Sequence, residues 1–141
     1  MELLRQDLGI AFIKLLLRCH KIEKNLAVSV GLSVDELHCL TQIHSSDPYC
    51  VKELSGTLGM KASRTSIILG DLERRGLLTR SLSLTDKRME RLSLTQDGIR
   101  TAENALMIAR QAVEKFLTSI PLELRGSFFN PTALRNPLIE Q

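Results

Sequence analysis

The hydrophobic pattern of the chain changes period after Gly76, and this change constrains the fold more than any other feature. Up to Gly76 the apolar residues recur at steps of three and four, as they do along helices, whereas residues 77–82 and 90–95 resemble short strands. A charged tip with the sequence Thr-Asp-Lys-Arg, residues 85–88, lies between these two segments. The pattern predicts a two-stranded hairpin attached directly to the end of a helix.

Two helices joined by a tight turn are predicted just before this hairpin. Residues 51–58 form the first helix, and Gly59 is well placed to end it in the left-handed conformation. The second helix covers about 62–75 and stops at Gly76, and its core-facing residues are predicted to be Thr65, Ile68, Leu69 and Leu72. Helix, turn, helix and hairpin in this order predict a winged helix-turn-helix.

Long helices are predicted at both ends of the chain. The first carries an apolar stripe of Leu8, Phe12, Leu15, Cys19, Ile22 and Leu26, and it is apolar on other faces at Ile13, Leu16 and Leu17. The last begins near Gln96, ends at Pro121, and carries Ala102, Leu106, Ala109, Val113, Phe116 and Ile120. A helix that is apolar beyond one stripe needs more than one packing partner, so we expect these helices to dimerise.

A further helix is predicted between the first long helix and the helix-turn-helix. Ser33 and Glu36 have the spacing of a capping box, after which Leu37, Leu40 and Ile43 face inward. The expected fold is therefore mainly α with a small β component. We expect one domain over residues 1–141, with a winged helix-turn-helix lobe at 32–98 and dimerisation helices and tail at 1–30 and 96–141.

Positive charge is concentrated on the predicted lobe. The net charge of the whole chain, +3, is too small to indicate a nucleic-acid partner, but residues 61–91 carry eight Lys and Arg against four Asp and Glu, a local net charge of +4. A local basic surface favours double-stranded DNA as the partner. The alternative is a winged-helix module that binds protein without binding DNA, which need not concentrate cations there.

The residues of the lobe resemble the multiple-antibiotic-resistance regulator (MarR) family of bacterial winged-helix transcription factors. The resemblance extends over about residues 32–98 and is most specific at 72–80 (LERRGLLTR), 86–88 (DKR) and 92–98 (LSLTQDG). It implies a homodimeric regulator, acting as a repressor on a pseudo-palindromic operator and in some members responding to a ligand. It also implies that Arg88 enters the DNA minor groove, where the negative potential is enhanced.

The resemblance and the charges assign a role to each candidate site residue. Asp86 and Arg80 are expected to support the wing, with Asp86 accepting hydrogen bonds from loop amides or from Arg80. Lys87 and Arg91 are expected to contact phosphates. In the helix that would enter the major groove, the DNA-contacting candidates are Lys61, Ser63, Arg64, Ser66 and Ile67.

Two residues of this helix depart from the family pattern. The family usually has Ser or Thr where Lys61 stands, and often a polar or basic residue where Ile67 stands. Ile67 either contacts a thymine methyl or packs inward. At the far end of the helix, Arg74 and Arg75 are expected to form a solvated last turn that the helix dipole favours.

No catalytic, metal or cofactor site is expected. The sequence contains no GxSxG, P-loop or HExxH motif, and His20, His38 and His44 lack metal-ligand spacing. Cys19 is expected to be a small core residue rather than a redox switch, and Cys19, Cys39 and Cys50 are expected to be reduced. No residue specifies a small-molecule effector. The N-terminal sequence and the lack of a long apolar run favour the cytoplasm over a membrane.

Overall fold

The computed structural model describes residues 2–45, 50–82, 84–85, 90–118 and 122. The elements follow one another as α1 (Glu2–Ser29), α2 (Val34–Ser45), α3 (Val51–Leu58), α4 (Ala62–Arg74), β1 (Leu78–Leu82), β2 (Glu90–Leu94) and α5 (Gln96–Thr118). The expected mainly α fold with a two-stranded wing is confirmed. The hairpin tip at 86–88 lies outside the described residues.

The start of α2 is the predicted capping box. The Ser33 amide donates to Glu36 Oε2 at 2.7 Å, and the Glu36 amide donates to Ser33 Oγ at 3.2 Å. Each residue thereby satisfies a backbone donor of the other, which fixes where the helix begins. Leu37, Leu40 and Ile43 are buried along the helix that follows, as their spacing predicts.

Helices α3 and α4 form the helix-turn-helix. Gly59 ends α3 with a φ of 64°, and its amide donates to the Gly56 carbonyl. The buried Ser55 hydroxyl donates to the buried Thr65 hydroxyl at 2.9 Å, and Thr65 Oγ1 in turn donates to the Lys61 carbonyl at 3.1 Å. These contacts join the two helices and satisfy two polar groups that would otherwise be costly to bury.

One apolar core unites the helix-turn-helix, α2 and the wing. Its largest fully buried apolar side chains are Leu40, Leu54, Leu69, Leu72, Leu78 and Leu92, which come from five different elements. Complete burial of a leucine stabilises the folded chain by about 1.5–3 kcal/mol relative to exposure. α4 and the wing therefore pack on the same apolar core, which fixes their relative position.

The wing is an antiparallel pair in which Leu78 lies opposite Leu94 and Leu82 opposite Glu90. It continues directly into α5, whose first turn Thr95 caps by accepting the Gly98 amide at 3.1 Å. Gly98 packs so closely on the Leu77 backbone that an added Cβ would overlap the Leu77 carbonyl oxygen. Glycine is required here by this close approach.

The chain divides into two compact units, Met1–Met107 and Ile108–Gln141. In the first, the stripe predicted for α1 is largely uncovered, and Leu8, Phe12 and Ile22 are exposed. Cys19 is exposed too, so the expectation that it is a core residue is wrong for this chain by itself, because α1 is exposed from residue 7 to residue 22. Among the described helices, none combines the length and the apolarity needed to cross a lipid bilayer.

Candidate nucleic-acid interface

The helical period of α4 separates a buried face from an exposed one. Thr65, Ile68, Leu69 and Leu72 face the core, as predicted, and Ser63, Arg64, Ser66 and Ile67 are exposed. Ile67 is 67% exposed, so the interpretation that it packs inward is wrong. The exposed face thus presents hydroxyl groups, one guanidinium and one branched apolar side chain, which are the groups that read base edges in a major groove.

The N-terminus of α4 is open to an anion. Lys61 is the N-cap residue, with extended backbone (φ −67°, ψ 140°) and no side-chain capping bond, and the first turn has no acidic residue. Lysine has no acceptor atom, so its side chain cannot satisfy the first amides of the helix as Ser or Thr does. Those amides, the positive end of the helix dipole and the exposed Lys61 together suit a phosphate group.

Arg64 is held by a carboxylate from another helix. Its Nη2 forms an ion pair with Asp35 Oδ2 in the first turn of α2. The Arg64 side chain is 66% exposed and that of Asp35 is 31% exposed. The pair therefore lies at the surface, on the side of α4 that carries the candidate DNA contacts.

Arg80 joins the wing to α4 through a backbone carbonyl and a carboxylate of that helix. From β1, its Nη2 donates to the Ser66 carbonyl at 3.2 Å, its Nε lies 3.3 Å from Glu73 Oε2, and its Nη1 lies 3.2 Å from Glu90 Oε2. Asp86, the expected partner, lies outside the described residues, as do Lys87 and Arg88. Arg80 therefore pairs with two carboxylates, those of Glu73 and Glu90, that the sequence did not predict.

The register of the wing contains a signal for one of these two partners. Arg80 lies opposite Leu92, and Glu90 is two residues from Leu92 on the same face of the strand. A cross-strand diagonal pair of opposite charge could therefore have been found once the register was known. Glu73 carries no comparable signal, because its approach to Arg80 depends on the turn at Gly76.

The last turn of α4 differs from expectation. Arg75 is not simply solvated: its Nη1 lies 3.1 Å from Glu36 Oε1, and its Nη2 donates to the Gly31 carbonyl at 2.7 Å. Arg74 forms an ion pair with Asp71 on the same helix. Arg91, in contrast, is exposed on β2 opposite Ser81, where a phosphate can reach it. Among the described cations of the lobe, Arg75 and Arg80 therefore brace the fold, whereas Lys61 and Arg91 are exposed.

Two other expectations concern metals and thiols. Among the described residues, no group of His, Cys, Asp and Glu could hold a metal ion. The three cysteines are free, and Cys39 is buried. Burial, reinforced by the nearby carboxylates of Asp35 and Glu36, raises the pKa of the Cys39 thiol to about 12. Cys39 is therefore a protonated core residue at neutral pH.

The fold and the exposed helix define a winged helix-turn-helix protein. Residues 32–89 match the family model described as the MarR family, which confirms the resemblance expected from the sequence. None of the curated protein sequences compared with the chain matches it.

Solved structures share this fold over most of the chain. Streptococcus pneumoniae FabT in complex with DNA is 23% identical, with a TM-score of 0.79 over 88% of this chain and 89% of that chain. The Staphylococcus aureus MepR–DNA complex is 17% identical, with a TM-score of 0.70 over 82% and 88%. A MarR transcriptional regulator from Methanosarcina mazei Go1 is 22% identical, with a TM-score of 0.71 over 87% and 88%. At these identities the similarity is one of fold.

Proposed function

We propose that the chain is a sequence-specific, double-stranded DNA-binding transcriptional regulator. The observation that carries the proposal is the exposed face of α4, which holds Ser63, Arg64, Ser66 and Ile67 beside a helix N-terminus that suits phosphate. The match to the MarR family and the fold shared with two DNA complexes support the same function. The protein acts in the cytoplasm, as a repressor that blocks access to its operator.

In the proposed complex α4 lies in the major groove. Lys61 and the first amides of α4 bind a phosphate and set the depth of the helix, while Ser63 and Ser66 donate to base edges or phosphates. Arg64 binds guanine O6 and N7, and Ile67 packs on a thymine methyl. Ile67 has no polar atom in its side chain, so a methyl group is the base feature that it recognises.

The wing contributes the flanking contacts. Lys87 and Arg91 bind phosphates, and Arg88 enters the adjacent minor groove, a role that rests on the family resemblance. Asp86 and Arg80 hold the wing, and the contacts of Arg80 with Ser66, Glu73 and Glu90 support its part in this. Substitution Arg88→Ala is expected to weaken binding by about 1–3 kcal/mol per site and to reduce the salt slope by about 1.

The regulator is proposed to act as a homodimer. The large apolar residues of α1 between residues 8 and 22, among them Phe12, Leu16 and Leu17, are about half exposed or more. An apolar surface of this kind on a lone chain marks an interaction site. Two α4 helices would then enter successive major grooves about 34 Å apart, and the operator would be pseudo-palindromic. A small-molecule effector would act on the same dimer by changing its affinity for DNA.

Selection of bound duplexes from a random pool by the purified full chain tests this proposal. We expect enrichment of a pseudo-palindromic sequence whose binding weakens steeply with salt. Replacing the contacted thymine by uracil removes only the methyl group. This change should lower the affinity of the wild-type protein for the duplex and leave the affinity of Ile67→Ala unchanged. Equal loss in both proteins would show that Ile67 does not read the methyl.

A protein-binding winged-helix module is the second candidate. The observation that favours it is the internal use of cations: Arg64, Arg74, Arg75 and Arg80 all pair with carboxylates of the same chain. Such pairing lowers the positive potential available to DNA. No enrichment of any duplex in the selection, at low as well as physiological salt, would favour this candidate over the DNA-binding regulator.

A further inference from the structure

The start of α2 holds α4 at both ends through two adjacent carboxylates. Asp35 pairs with Arg64 in the first turn of α4, and Glu36 pairs with Arg75 just beyond its last turn. The two pairs differ in surroundings. Glu36 is 14% exposed and also closes the α2 capping box, whereas Asp35 and Arg64 lie on the exposed side of α4. A bracing role accounts for the Glu36 pair, and the Asp35 pair needs another explanation.

Stability supplies little of that explanation. Asp35 interacts favourably with the dipole of α2 as an acidic residue of its first turn, but this interaction does not require Arg64. The ion pair itself adds little, because the Arg64 side chain is 66% exposed and water screens its charge. A carboxylate close to a DNA-binding face is also unfavourable for the attraction of phosphates. The placement of Asp35 therefore reduces affinity for any DNA, unless it improves the contact that Arg64 makes.

We propose that Asp35 is a positioning residue that orients the Arg64 guanidinium toward base edges and keeps it from the phosphate backbone. This inference rests on the proposed DNA-binding function. A guanidinium has five N–H donors in a fixed plane, and Asp35 engages Nη2. The remaining donors can reach guanine O6 and N7 while the plane is held. The Asp35 carboxylate also offsets the charge of Arg64, which weakens the attraction of Arg64 to the phosphates of any sequence. Contacts with bases then contribute a larger share of the affinity, and the protein discriminates better between sequences.

The substitution Asp35→Asn tests this role, because it removes the charge and preserves the shape. The probes are a duplex that the wild-type protein selects from a random pool and a shuffled duplex of the same length and composition. We expect the variant to bind the shuffled duplex more tightly, with the salt slope steeper by about 1 as Arg64 acquires a phosphate. The ratio of the affinity for the selected duplex to that for the shuffled duplex should fall about tenfold. A fall of this size lies within the range by which a bidentate arginine–guanine contact favours the correct base.

A matched control comes from α5. Asp97 also lies in the first turn of a helix and pairs with an arginine three residues on, Arg100, at 2.7 Å. Asp97→Asn therefore removes the same charge from the same type of position, at a residue whose ion-pair partner is Arg100 and not Arg64. We expect it to leave the affinity ratio and the salt slope unchanged. A similar fall in the ratio for both variants would overturn the proposal, since a general charge effect would then explain it.

A double-mutant cycle shows whether Asp35 acts through Arg64. In an Arg64→Ala background, Asp35→Asn is expected to cause no further loss of discrimination. A full tenfold loss in that background would overturn the proposal, as would an unchanged ratio in Asp35→Asn alone. The proposed function fails separately, if the wild-type protein itself shows no preference among duplexes. Unfolding midpoints of all variants, compared with Asp97→Asn, distinguish a binding effect from a folding effect.

Discussion

Replacing Arg80 by methionine should free the wing from α4, and it should lower both the stability of the fold and the affinity for DNA. Methionine keeps an unbranched stem but loses the contacts with the Ser66 carbonyl, Glu73 and Glu90. Each ion pair to a half-exposed carboxylate contributes about 0.2–1 kcal/mol. The hydrogen bond from Arg80 to the Ser66 carbonyl adds about 1 kcal/mol, a modest amount because water can bind this exposed carbonyl when the bond is lost. We therefore expect the free energy of unfolding to fall by about 1.4–3 kcal/mol.

Urea unfolding and fluorescence anisotropy with a selected duplex measure the two consequences. The control is Arg100→Met, which removes an exposed pair with Asp97 on α5 and should cost less than about 0.5 kcal/mol. In the proposed complex α4 and the wing contact DNA together. Arg80→Met should therefore weaken DNA binding about tenfold, equal to about 1.4 kcal/mol, under conditions where the wild-type protein and the variant are both folded. Affinity and stability equal to those of the control would refute the coupling assigned to Arg80.

Three further predictions concern the frame on which the site is built. Gly98→Ala should lower the free energy of unfolding by about 1–3 kcal/mol despite better helix propensity, because the new methyl overlaps the Leu77 carbonyl; urea unfolding measures it. Leu40→Ala should cost about 2–5 kcal/mol in the same assay, since Leu40 is 0% exposed. Because burial raises the pKa of Cys39 from 9.0 to about 12, the unfolded thiol ionises first, and stability should fall as pH rises from about 9 towards 12; a Cys39→Ala variant should lose this dependence.

The sequence predicted those elements whose boundaries depend on local chemistry. Residues 51–58 form α3 as predicted, and Gly59 ends it, because glycine tolerates a φ of 64° that other residues rarely adopt. The capping box of Ser33 and Glu36 has its predicted hydrogen bonds. Local periodicity also separated the buried residues of α4 from its exposed ones, apart from the ambiguity at Ile67.

The sequence did not predict the partners of the arginines. Arg64 and Asp35 are 29 residues apart, and Arg75 and Glu36 are 39 apart. A long flexible side chain can reach many positions, so its partner depends on how helices approach one another in three dimensions. Local charge counting therefore did not show which arginines of the lobe pair with carboxylates of the same chain.

Periodicity also shows which face of a helix is apolar without showing what covers it. Cys19 lies on such a face of α1, yet it is exposed in the chain by itself. The prediction that it is buried required a packing partner that the described chain does not supply to residues 7–22 of α1. The homodimer proposed above would supply this partner.

Repeating the duplex selection with Arg64→Ala tests most directly whether the exposed face of α4 reads DNA sequence. Arg64→Ala and the control Arg100→Ala each remove one exposed arginine that pairs with an aspartate. We expect Arg100→Ala to enrich the same sequence as the wild type, and Arg64→Ala to lose the preference for guanine at one symmetric position of each half-site. If both variants enrich the wild-type sequence unchanged, Arg64 does not read bases and the assignment of α4 as the reading element is contradicted.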